Sequence, residues 1–209
     1  MRISPISLIK NYRQNFKATY PKENNIAILG SSKTTDSIID SLVICSEVVR
    51  YSVVSGKNIL TGCGNRGVMG QAYYTALAFS KKDENGKPEQ NIVILKDPLW
   101  GDEDLENCIV LGKANSEATR IEKFMENADK FVIFPGGPGT IQEASTLIAN
   151  NYYNKENSKQ IILVGKKHFE GLDMQYQKMY EEGLIKCLPS ELYTITDEKY
   201  EILDMLGCL

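Results

Sequence analysis

Five short apolar runs decide most of what this chain can become: NIAILG (25–30), NILTG (58–62), NIVILK (91–96), KFVIF (130–134) and QIILVG (160–165). None alternates apolar with polar residues, so a strand made from any of them is buried on both faces. CIVLG (108–112) and LYTIT (192–196) are further strand candidates. Amphipathic stretches between the runs predict helices over about 36–54, up to 80, 116–127, up to 151 after KFVIF, 171–183 and at the C-terminus. Buried strands separated by helices form a parallel sheet covered on both sides. The expected fold is therefore α/β: a Rossmann-like doubly wound parallel sheet in a single domain over residues 25–209. Residues 1–24, broken by Pro5 and Pro21, read as an N-terminal arm. KKDENGKPEQ (81–90) and the acidic DPLWGDEDLEN (97–107) read as surface loops, and no repeat or second domain is visible.

In such a sheet, ligands bind outside the carboxyl ends of the strands. Three glycine turns are predicted on that edge. They contain Gly30, Ser31 and Ser32 after the first strand, Gly62, Gly64 and Gly67 after the second, and Gly136, Gly137, Gly139 and Thr140 after KFVIF. Glycine lets backbone N–H groups approach a ligand, and a helix N-terminus adds unpaired donors, so the rim predicts an anionic ligand. GCGNRG satisfies G-x-G-x-x-G, but the first acid after the next strand is Asp97, 33 residues beyond Gly64. A dinucleotide site needs its ribose-binding acid about 20 residues on, so that reading fails. Arg66 fits either a phosphate contact or a solvated loop charge. PGGPGT is not followed by the Lys-Ser/Thr of a phosphate-binding Walker loop. Thr140 and Glu143 have the spacing of a capping box, with Glu143 reaching back to the helix start. Alternatively, Glu143 points at the sugar attached to a bound phosphate; both readings stand at this level.

Lys and Arg number 24 against 27 Asp and Glu, a net charge of −3, which excludes the basic surplus of an extended nucleic-acid surface. The five cysteines (Cys45, Cys63, Cys108, Cys187 and Cys208) are scattered, with no C-x-x-C pair. Neither a disulfide framework nor a zinc site is expected, and thiols of this kind suit a reducing cytoplasm. No stretch approaches the roughly 18 apolar residues of a membrane span. The N-terminal residues lack the apolar core of a signal peptide. A cytoplasmic protein without membrane or nucleic-acid partners is expected. His168, the only histidine, reads as a surface-loop residue.

FPGGPGTIQE resembles the PGGxGTxxE signature of the Lonely Guy (LOG) family, often labelled lysine decarboxylase-like. The family arginine lies fifteen residues before the signature proline, and here Arg120 precedes Pro135 by fifteen. The resemblance extends from AILGSS through TGCGNRGVMG to about Leu184. It implies a Rossmann-like homodimer that hydrolyses nucleoside 5′-monophosphates to free base and ribose 5-phosphate, with no metal or cofactor. Apolar residues in the helices around 36–54 and 67–80 fit a dimer loosely. Arg120 and Glu143 would be catalytic; Gly136, Gly137, Gly139 and Thr140 would hold phosphate, with Ser31, Ser32 and Gly64 lining the same pocket. The Met-His-x-Arg-Lys of the cytokinin-activating branch is replaced by Glu117-Ala118-Thr119-Arg120-Ile121. This favours ordinary purine or pyrimidine monophosphates over prenylated ones. Non-catalytic carriers of molybdenum cofactor share the scaffold and form the alternative.

Overall fold

The computed structural model describes residues 20–62, 64–96 and 107–209. Most of the expected arm (1–19), most of the acidic loop (97–106) and Cys63 lie outside the described residues. The strands are β1 (Asn25–Leu29), β2 (Asn58–Thr61), β3 (Asn91–Lys96), β4 (Ile109–Ala114), β5 (Lys130–Ile133), β6 (Gln160–Leu163) and β7 (Thr194–Ile195). The helices are α1 (Ile39–Val54), α2 (Gly67–Phe79), α3 (Glu117–Asn127), α4 (Pro138–Tyr153), α5 (Lys166–Glu181) and α6 (Lys199–Leu206). The chain is a single α/β domain with a seven-stranded sheet in the order β4-β3-β2-β1-β5-β6-β7. Every pairing is parallel.

Successive residues of each strand serve opposite faces. Ile26, Ile28, Ile59, Val132, Phe134 and Ile162 pack beneath α1, α2 and α6, together with Val48, Val68 and Leu203. On the other face Ala27, Leu29, Leu60, Ile92, Phe131, Ile133 and Leu163 meet α3, α4 and α5 through Phe124, Leu147 and Phe169. Phe124, Phe131, Phe134 and Phe169 are fully buried. Side chains of this size contribute about 1.5–3 kcal/mol each when removed from water. At the opposite edge from the glycine turns, Asn25 Nδ2 donates to the Asn127 carbonyl, and Asn58 Nδ2 donates to Asn25 Oδ1. These bonds join the starts of β1 and β2 to the end of α3.

Two element boundaries differ from expectation. Helix α5 begins at Lys166 rather than near 171 because Asp197 accepts from the Gly165 and Lys166 N–H groups and caps it. Of LYTIT, only Thr194–Ile195 pairs, at the sheet edge.

Candidate active site

Strand order reverses between β1 and β5, where one chain end leads toward β2 and the other toward β6. The turns leaving these neighbours are joined directly, since Ser31 N–H donates to the Pro135 carbonyl at 3.0 Å. A cleft of about 510 Å³ opens above them. Gly30, Ser31, Ser32, Gly62, Gly64, Arg120, Gly137, Gly139, Thr140 and Glu143 line it. Three turns and a helical arginine far apart in sequence thus face one space. Its size suits a small organic ligand.

Gly67 and Gly136 do not line the cleft. Gly67 has φ +59°, and a side chain there would run into the Ser31 carbonyl and the Lys33 backbone. Its role is close approach between the turns after β1 and β2. The Gly136 N–H is directed to Nε2 of His168 at 3.3 Å. His168 is exposed but sits in the first turn of α5, not in a loop, and it braces the PGGPGT segment. Arg66 is exposed and outside the lining. Lining residues that spacing did not single out include Lys33, Asn65 and Met69. Glu117, seen in sequence only as the residue replacing a methionine, also faces the cleft. Position beside a glycine turn or one helical turn before Arg120 was the available signal.

The helix N-termini around the cleft are not equivalent. At α2, Val68 N–H donates to the Ser31 carbonyl and Gly67 N–H to Thr34 Oγ1. At α3, Ser116 and Thr119 form a reciprocal capping box. At α5, Asp197 occupies the donors. Helix α4 has Gly137 as N-cap, Pro138 in its first position and no side-chain cap. The N–H groups of Gly137, Gly139 and Thr140 take no partner among the described residues. These are open donors at the positive end of a helix dipole, a ready anion site. Thr140 lies inside the helix as its third residue, so the capping-box reading of Thr140 and Glu143 is overturned. Proline pre-sets the first helical φ and starts the helix three residues earlier than that reading requires.

Arg120 is held by backbone. Its Nε donates to the Ile94 carbonyl at 3.3 Å and a terminal nitrogen donates to the Gly62 carbonyl at 2.6 Å. The other terminal nitrogen lies 3.7 Å from the Glu117 carboxylate, and the side chain is only 12% exposed. Gly62 is required here, because a Cβ would collide with the guanidinium. Burial raises the Glu143 pKa to about 7; Arg120 opposes that rise and Glu117 adds to it. A carboxyl group poised near neutrality beside a fixed cation, one turn inside an open helix N-terminus, can work on a ligand whose anionic end rests on that terminus.

Comparisons with known proteins bear on the family and the fold. A family model described as possible lysine decarboxylase matches residues 69–206. No curated protein sequence matches the chain. Similar solved structures include three of the molybdenum cofactor carrier protein of Chlamydomonas reinhardtii. The first has a TM-score of 0.58 at 18% identity, covering 88% of this chain and 96% of that one. The others have TM-scores of 0.55 and 0.54 at 18% and 17% identity, each over 88% of this chain and 94% and 95% of theirs. At such identities the likeness is one of fold. The family match spans well over half of the sequence, and the chain belongs to the lysine decarboxylase-like (LOG) family.

Proposed function

We propose that the protein hydrolyses the N-glycosidic bond of nucleoside 5′-monophosphates, releasing free base and ribose 5-phosphate. The observation that carries this reading is the cleft itself: Glu143 and Arg120 stand beside the open N-terminus of α4. In the proposed reaction the phosphate rests on the N–H groups of Gly137, Gly139 and Thr140, which fixes the ribose over Glu143. The C1′–N bond breaks with its electron pair leaving on the base, and the ionised Glu143 carboxylate stabilises the oxocarbenium-like sugar. Water adds to C1′; its proton is released through Glu143, and the departing base gains a proton. Binding energy from the phosphate serves the reacting centre some atoms away. Arg120 holds the floor of the cleft and supplies a countercharge to Glu143. We place the activity in the cytoplasm, on the homodimer implied by the sequence resemblance; among the described residues no helix is long and apolar enough to cross a membrane.

Incubation with AMP, GMP, CMP, UMP and prenylated AMP, with assay of free base and ribose 5-phosphate, tests the proposal. Turnover of at least one ordinary monophosphate is expected, and no turnover of any of the five overturns it. The likeness to molybdenum cofactor carriers supports a second reading, a carrier that binds a phosphorylated cofactor on the same helix terminus without cleaving it. Tight binding of such a cofactor with no nucleotide turnover is the outcome that selects it.

A further inference from the structure

Among the described residues, the charges lining the cleft are two cations, Lys33 and Arg120, and two acids, Glu117 and Glu143. A phosphate monoester adds about 1.5–2 negative charges to this space. The terminus of α4 offsets only about half a charge. Arg120 is poorly placed to offset the rest. Its guanidinium is pinned to the Ile94 and Gly62 carbonyls and approaches Glu117, so turning to a phosphate would break bonds to two buried backbone groups. Such charge-assisted bonds are stronger than neutral ones, and breaking them leaves the carbonyls unsatisfied.

Lys33 has the opposite situation. Its backbone is fixed on both sides: Lys33 N–H donates to Ser31 Oγ, and that hydroxyl donates to the Lys33 carbonyl, both at 2.9 Å. Gly67 packs against the same backbone. Ser31 N–H is bonded to Pro135, which opens the PGGPGT segment. The stem of Lys33 therefore leaves a turn locked to the entrance of α4. Its ammonium group forms no ion pair among the described residues. Lys33 is an exposed residue of the cleft lining.

We propose that Lys33 is the cation that binds the substrate phosphate. The inference rests on the nucleotide reading of the site but can fail separately from it. The test compares wild-type protein with Lys33→Met and Lys33→Arg in two measurements. One is steady-state turnover of the nucleoside monophosphate cleaved best; the other is calorimetric binding of ribose 5-phosphate, at low and high salt. Lys33→Met is expected to raise both KM and the ribose 5-phosphate Kd by about tenfold, the effect of losing one charge-assisted hydrogen bond. Its kcat/KM should fall by about tenfold or more, because binding energy from the phosphate also serves the reacting centre. Lys33→Arg should restore most of the binding, and added salt should weaken wild type more than Lys33→Met. Unchanged KM and Kd in Lys33→Met overturn the inference while leaving the hydrolase intact. Wild-type protein that binds ribose 5-phosphate but cleaves no nucleotide overturns the hydrolase, and the Kd comparison still decides Lys33. Wild-type protein that neither binds ribose 5-phosphate nor cleaves a nucleotide overturns both.

Discussion

At the scale of single residues, Glu143 carries the sharpest expectation, because burial lifts its pKa to about 7 from an ordinary 4.5. If the ionised form acts, kcat/KM rises with pH through about 7 and levels above it. Glu143→Gln should remove that limb and lower kcat by about 100-fold or more, yet leave ribose 5-phosphate binding within a few-fold. A variant with wild-type turnover and pH profile would reduce Glu143 to packing. The same shift acts on stability with a definite sign. The folded state holds its proton up to about pH 7 and the unfolded chain releases it near 4.5, so this residue's contribution falls as pH rises between those values. Glu143→Gln should therefore be more stable than wild type at pH 8, by roughly 1–3 kcal/mol, with a smaller difference at pH 5. Urea unfolding at the two pH values measures it. The juxtaposition of Arg120 and Glu143 was legible because a family spacing marks both. Lys33 and Glu117 were not, because nothing in a turn lysine or an N-terminal helix glutamate tells which way the fold will face it.

At the scale of elements, the capping-box spacing that sequence offered as one reading of Thr140 and Glu143 is not used. Thr140-Ile-Gln-Glu143 has the spacing, but Pro138 starts α4 earlier; the reciprocal box forms at Ser116 and Thr119, where α3 presents Arg120. Asp197 caps α5 from more than thirty residues away, a long-range bond that no local pattern announces. The G-x-G-x-x-G match has a similar lesson. Its last glycine brings two turns together, and the first N–H groups of α2 are bonded to the Ser31–Thr34 segment rather than left for a dinucleotide. Gly67→Ala should then cost about 2 kcal/mol or more, because a Cβ meets backbone atoms and the left-handed φ is unfavourable for alanine. It should also weaken ribose 5-phosphate binding by moving Ser31 and Lys33. Gly137→Ala, with open space around its Cβ position, is the control for folding and should cost only the modest penalty of alanine at an N-cap, less than Gly67→Ala. Equal denaturation midpoints for the two variants would contradict the packing role of Gly67.

At the scale of the whole molecule, the doubly wound sheet was legible because a strand buried on both faces cannot alternate, and the apolar runs of β1, β2, β3, β5 and β6 do not. The strand order was not, since parallel pairing is settled by how helices cover two faces at once. That order matters to function: it makes β1 and β5 neighbours and so brings a turn near residue 31 against one near residue 135. A phosphorylated sugar in the cleft would touch the segments after β1 and β5 together, and with them both halves of the sheet. Ligand that binds only the folded state stabilises it by about 2.7 kcal/mol at a hundredfold excess over Kd. For a chain of this length that corresponds to a rise in Tm of roughly 5–10 °C. Ribose 5-phosphate should produce the rise, and ribose, lacking the anion, should produce little at the same concentration. Lys33→Met should need about tenfold more ligand for the same shift. Equal stabilisation by ribose and ribose 5-phosphate would mean that the open terminus of α4 is not where the anion binds, whatever the protein turns over.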